Sequence, residues 1–231
     1  GSDSNYKLKD IYPFQDVEYT AESETSLAVY DVDGDGHADI IAGIGGPNTK
    51  PLIEIYSGAD YSLMGKISPF HTMENTTINV AAGDINSDNF GDILVGQSEG
   101  GVGAVQAYTG RKIFEVIKNN EGSSLGSTDV QGVDPMNPEA MAIATELYKG
   151  DFLPFESEGY AGAVDVASGF ILPRPEEPST QEEVDTQIIQ SSFANFIALK
   201  VNEKSTKRYP SIKSFYYTCL LYTSDAADDP T

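Results

Sequence analysis

Basic side chains, histidine, tryptophan and cysteine are all scarce in this chain of 231 residues. Fourteen Lys and Arg stand against 36 Asp and Glu, with two His, one Cys and no Trp. The formal charge of −22 repels phosphate backbones and anionic lipid at long range, so no nucleic-acid partner is expected. The single Cys219 excludes an internal disulfide framework and a cysteine-based zinc site. With only His37 and His71, histidine-dependent catalysis is thinly supplied. No run approaches the roughly 20 consecutive apolar residues of a spanning helix, so membrane insertion of this segment is not expected. The opening GSDSNYKLKD has neither an initiator Met nor an apolar signal core and reads as a mature or trimmed end. Glycine, by contrast, is plentiful at 22 residues, and with 12 Pro it favours turns and short strands over long helices.

The end of the chain, CLLYTSDAADDPT from Cys219 to Thr231, resembles the translation of a sequencing adapter. Residues 219–231 are therefore expected to be a non-native tail, and 1–218 a fragment whose gene continued past the junction. Setting the tail aside removes Asp225, Asp228, Asp229 and the only Cys.

An internal repeat organises the remainder. SLAVYDVDGDGHADIIAG, Ser26 to Gly43, aligns without a gap on NVAAGDINSDNFGDILVG, Asn79 to Gly96, at an offset of 53. Downstream, IEIYSG ending at Gly58 matches VQAYTG ending at Gly110. Pro-Phe pairs precede three units, at Pro13-Phe14, Pro69-Phe70 and Pro154-Phe155. The units run over about 26–70, 79–151 and 164–218. In the third, Val166, Ala167 and Gly169 repeat Val80, Ala81 and Gly83, but Phe170 stands where the first Asp belongs. Two segments, about 119–149 and 172–186, read as loop insertions, which in repeat proteins collect on one face, often the binding face.

Within a unit the pattern is strand, acidic loop, strand, glycine turn, strand, turn, strand. SLAVY, INVAAG, ADIIAGI and GDILVGQ are short apolar or β-branched runs, LIEIYSG and AVQAYTG alternate, and KIFEVI is expected to continue as a strand. TQEEVDTQIIQSSF is the single helix expected. Four short strands per roughly 50 residues is the content of one β-propeller blade. The fold class expected is all-β: a partial β-propeller of about three four-stranded blades with loop insertions. Because a closed propeller typically needs four to eight blades, three units leave it open. Tyr56 and Tyr108 are expected to pack between sheets, and His71 has no special role.

The acidic loops carry the chemistry. DVDGDGHAD places Asp31, Asp33, Asp35 and Asp39 at positions 1, 3, 5 and 9; DINSDNFGD places Asp84, Asn86, Asp88 and Asp92 there. Unit charges about 4 Å apart repel by roughly 1 kcal/mol in water and about 4 at an effective dielectric of 20. A hard dication reverses that balance: calcium takes six to eight oxygens, and position 7 can lend a backbone carbonyl, here from His37 and Phe90, with the His37 imidazole outward. An EF-hand is excluded, because position 12 is Ala42 or Val95 rather than a bidentate Glu, and both lie in strands.

The unit PF…VAxGDxNxDxxxDIhhGxxxGG…YxG resembles the FG-GAP, or VCBS-type, repeat of integrin α-subunit propellers and of many microbial surface and secreted proteins. The likeness is strong over about 26–117 and weak over 152–217, and Phe90-Gly91 fits the Phe-Gly signature. It implies that the acidic loop joins the first two strands of a blade and binds Ca2+. Two structural sites follow, one from Asp31, Asp33, Asp35, His37 and Asp39, the other from Asp84, Asn86, Asp88, Phe90 and Asp92. The function expected from the resemblance is an extracellular or cell-surface, calcium-stabilised propeller module for adhesion, binding a protein or glycan without catalysis. The alternative is the propeller part of a secreted polysaccharide lyase or glycoside hydrolase. Its acids would come from Asp151, Glu156 and Glu158, which read better as solvated loop carboxylates.

Overall fold

The computed structural model describes residues 9–70, 75–86, 88–120, 153, 155, 160, 162–169, 195–200 and 212–215. Among the described residues, ten strands and one helix follow in order: β1 (Glu24–Tyr30), β2 (Asp39–Gly46), β3 (Thr49–Tyr56), β4 (Leu63–Ile67), β5 (Thr77–Gly83), β6 (Asp92–Glu99), β7 (Val105–Tyr108), α1 (Gly110–Asn120), β8 (Val164–Gly169), β9 (Asn195–Lys200) and β10 (Ile212–Phe215). They form three antiparallel sheets, ordered β1-β2-β3-β4, β5-β6-β7 and β10-β9-β8. The all-β expectation holds, and each sheet corresponds to one sequence unit. The first sheet has four strands; the described residues give three to each of the others.

KIFEVI is not a strand. Residues 110–120 form α1, which takes the place in the second unit that β4 holds in the first. The physical reason is local. The Thr109 carbonyl accepts the first helical hydrogen bond from Ile113 N at 3.0 Å, and the Thr109 hydroxyl accepts from Lys112 N at 3.3 Å, an N-cap. Apolar residues at 113, 116 and 117 also recur at helical spacing, whereas the adjacent pair Ile113-Phe114 breaks strict alternation. The helix expected in TQEEVDTQIIQSSF lies outside the described residues, as do His71, Phe170, the tail 219–231, the insertion 172–186 and all but the first two residues of 119–149.

The sheets pack face to face. Ile41, Ile53, Ile55 and Ile67 of the first meet Ile78, Val80, Ile93, Val95 and Tyr108 of the second in one core. On the other face of the second sheet, Ala81, Leu94, Val105 and Ala107 meet Val164, Val166 and Ala198 of the third. A sheet covered on both faces needs apolar residues at successive positions, which is why Ile93, Leu94 and Val95 run without alternation. Gly43 and Gly96, matched in the repeat, permit the close approach. A Cβ on Gly43 would lie 3.0 Å from Val80 of the second sheet, and one on Gly96 would lie 3.1 Å from Val166 of the third.

The first strands of successive sheets are joined at matched positions. Ser26 of β1 donates its hydroxyl to the Ile78 carbonyl at 3.2 Å, and Asn79 of β5 donates to Asp165 of β8 at 3.0 Å. Ser98 also donates to Asp165 at 3.0 Å, and Ser168 to the Ala82 carbonyl.

Each Pro-Phe pair of the first two units is latched to its own sheet. Phe14 (φ 63°) and Phe70 (φ 49°) are left-handed, a conformation unfavourable for a bulky residue. Both rings are buried, and each backbone N–H is caught by a side chain of the third strand: Phe14 N by Glu54 at 2.8 Å, Phe70 N by Gln106 at 3.1 Å. The Tyr56 and Tyr108 hydroxyls donate to the same two side chains, at 2.6 and 2.7 Å. Both tyrosines are buried, as expected, and their hydroxyls complete this latch. Glu54, itself buried, is also paired with Lys66 at 3.0 Å. Glu54→Ala is expected to cost about 3 kcal/mol in urea unfolding, because it removes the acceptor of the Phe14 N–H and the Tyr56 hydroxyl and breaks the pair with Lys66. Glu54→Gln, which reproduces the second unit's residue, is expected to cost about 1 kcal/mol.

Candidate metal centre

The loop between β1 and β2 starts and ends on the register pair Tyr30 and Asp39; the loop between β5 and β6 uses the equivalent pair Gly83 and Asp92. Each is folded by its own carboxylates. In the first, Asp31 Oδ1 accepts from Gly34 N at 2.8 Å and Asp35 N at 3.2 Å, while Oδ2 accepts from Gly36 N at 2.9 Å. Asp33 accepts from Asp35 N at 3.1 Å and Asp35 from His37 N at 2.7 Å. Gly34 (φ 76°) and Gly36 (φ 87°) supply the left-handed turns that wrap the backbone around Asp31.

The second loop repeats these bonds. Asp84 accepts from Asp88 N and Asn89 N, both at 3.0 Å; Asn86 accepts from Asp88 N at 3.1 Å; Asp88 accepts from Phe90 N at 3.0 Å. Asn89 (φ 67°) replaces Gly36 in the left-handed position.

The ninth residue closes each loop from within the core. Asp39 is fully buried and accepts from Val32 N at 2.8 Å and from Gly58 N, in the turn after β3, at 2.9 Å. Asp92, equally buried, accepts from Ile85 N at 2.8 Å and Gly110 N at 3.1 Å. The loops also touch: Gly91 N donates to the Asp31 carbonyl at 2.7 Å.

Among the described residues, Asp31, Asp33 and Asp39 form a carboxylate group whose ligand oxygens all lie within 4.8 Å of one another. That donor set, all oxygen and partly shielded from water, suits a hard divalent cation. Asp35 lies outside the group, with Oδ1 3.3 Å from Nδ1 of the exposed His37 imidazole. The second loop gathers no such trio among the described residues. There Asn86 Nδ2 donates to Asp88 Oδ2 at 3.3 Å. Arg111 Nε donates to the same oxygen at 3.2 Å, and Nη2 to the Asp88 carbonyl at 3.3 Å. Phe90 packs its ring against Phe114, with centroids 5.6 Å apart. Sequence reasoning passed over Arg111, because its approach to Asp88 depends on α1. It also passed over Glu54 and Gln106, although their alignment two residues before Tyr56 and Tyr108 was a usable signal. The acids Asp151, Glu156 and Glu158 lie outside the described residues.

The electrostatics follow from crowding and burial. Burial pushes Asp33 above the ordinary carboxylate range, assisted by the charge of Asp39. Burial likewise raises Asp39, against the hydrogen bonds from Gly58 and Val32. Asp92 is pushed from 3.8 up to about 7 by burial, opposed by its bonds from Ile85 and Gly110 and reinforced by Asp88 and Asp84. Between about pH 4 and 7 the metal-free folded chain therefore holds a proton at Asp92 that the unfolded chain releases. Stability contributed by this group falls as pH rises through that window and is level above it. In chelator the melting temperature is expected to be higher at about pH 5.5 than at about pH 8, with Asp92→Asn flattening the slope; scanning calorimetry checks both.

Compared with known families, residues 25–51 match the model of the FG-GAP repeat, a span that covers most of β1, the first acidic loop, β2 and the start of β3. No curated protein matches the chain. Residues 25–51 thus match an FG-GAP repeat, and that segment carries the carboxylate trio.

Proposed function

We propose that this chain is part of an extracellular or cell-surface β-propeller, stabilised by Ca2+, that binds a protein or glycan partner without catalysing a reaction. The observation that carries the reading is the convergence of Asp31, Asp33 and Asp39 at the tip of the β1-β2 hairpin, inside the segment that matches the FG-GAP repeat. Asp31, Asp33 and Asp39 would hold the ion, with Asp35 and the His37 carbonyl as the remaining loop donors. Bound calcium would neutralise carboxylates that otherwise repel one another and would tie the hairpin tip to the turn at Gly58 through Asp39. Extracellular calcium modules bind with Kd of roughly 10⁻⁴ to 10⁻³ M, which suits a calcium-rich outer compartment.

Three sheets packed in sequence order, with β1, β5 and β8 side by side, support the propeller architecture. β1 is an edge strand whose Leu27 and Val29 are exposed, 69% and 59%, as expected for an inner strand of a ring continued by further blades. Among the described residues no helix is long and apolar enough to cross a membrane.

Calcium removal decides the metal assignment. Excess chelator is expected to lower the melting temperature, and restored calcium to recover it; Asp33→Ala is expected to weaken the response. An unchanged melt in chelator sinks the calcium reading. Retention of immobilised glycans or surface proteins in calcium buffer, without release of sugar from a polysaccharide panel, tests the binding role.

A further inference from the structure

We propose that Arg111 is a resident cation that replaces the metal at the second acidic loop, so that the two loops together hold one divalent ion. The two loops share their backbone hydrogen bonds, so the difference between them lies in the side chains. Position 3 is Asp33 in the first loop and Asn86 in the second, which removes one negative charge and adds an amide donor. Position 5 is held differently as well. Asp88 Oδ2 takes hydrogen bonds from Asn86 at 3.3 Å and from Arg111 at 3.2 Å, while a second Arg111 nitrogen reaches the Asp88 carbonyl at 3.3 Å.

The Arg111 side chain is 53% exposed, and its head is placed by the Asp88 contacts and by an aromatic ring. Its guanidinium lies 5.1 Å from the centre of the Phe90 ring, and that ring rests on Phe114 of α1. The first turn of α1 is in turn fixed by the Thr109 cap and by Asp92, which accepts from Gly110 N. Loop and helix thus hold each other. In the first unit the residue after the matched glycine Gly58 is Ala59, which brings no cation to Asp35.

A divalent ion in the second loop would have to draw Asp88 away from two donors and sit beside a guanidinium and the positive end of a helix. The guanidinium keeps its charge at every accessible pH and needs no calcium in the medium, so the second loop stays closed where the first would open. The count of one ion rests on the calcium reading of the first loop; the role of Arg111 does not.

Two measurements on the full chain separate these. Calorimetric titration of chelator-stripped protein with CaCl2 is expected to give one equivalent, lost in Asp33→Ala and kept in Asp88→Asn. In excess chelator, Arg111→Gln is expected to melt about 2–4 °C lower than the parent. That loss should largely vanish when Asp88→Asn is already present. Two equivalents in the parent, or losses from Arg111→Gln and Asp88→Asn that simply add, would overturn the proposal. No calcium heat at all would remove the first-loop site, while the coupled melts would still support Arg111 as the cation of the second loop.

Discussion

A carboxylate buried at the base of each acidic loop, accepting one N–H from the loop and one from the turn after the third strand, is the constraint on which the first two units depend. Asp39 ties Val32 to Gly58, and Asp92 ties Ile85 to Gly110. Burying an unpaired charge would cost several kcal/mol, so these bonds set how closely the hairpin tip and the turn approach. Both aspartates are nonetheless pushed above the ordinary range, which means that the bonds offset only part of the burial. A proton or a cation would offset the remainder, and in the first loop Asp31, Asp33 and Asp39 could hold a cation.

The sheets transmit that local order. The Asp31 carbonyl accepts from Gly91, so the first loop leans on the second, and the matched glycines Gly43 and Gly96 let each sheet press against the next. An ion bound by Asp31, Asp33 and Asp39 would stiffen one hairpin tip directly and its neighbour through this contact. The neighbour has a different source of order, the Arg111 guanidinium seated on Phe90. One backbone design therefore meets two different surroundings: β4 follows the third strand in the first unit, and in the second a helix follows that brings Arg111 to Asp88.

Much of this was legible from spacing. The gapless offset of 53 placed the acidic loops between paired strands, and the register pairs Tyr30 with Asp39 and Gly83 with Asp92 follow from it. The Pro-Phe pairs were visible as repeats, but their purpose was not, because the latch lies about 40 residues downstream, at Glu54 and Gln106. KIFEVI deceived for a related reason. Its apolar residues fit either period over so short a span, and the cap at Thr109 together with Phe90 beside the helix decides the outcome.

The sequence alone determined the repeat, the all-β class and the carboxylate positions, since alternation, glycine turns and fixed offsets are properties of the chain read in order. Only the tertiary structure decided that Asp33, but not Asp35, joins Asp31 and Asp39, and that Asp88 faces an arginine. Those outcomes turn on ångström differences in side-chain direction and on a helix whose Arg111 meets a loop residue 23 positions away, and neither is encoded in the spacing of the acids.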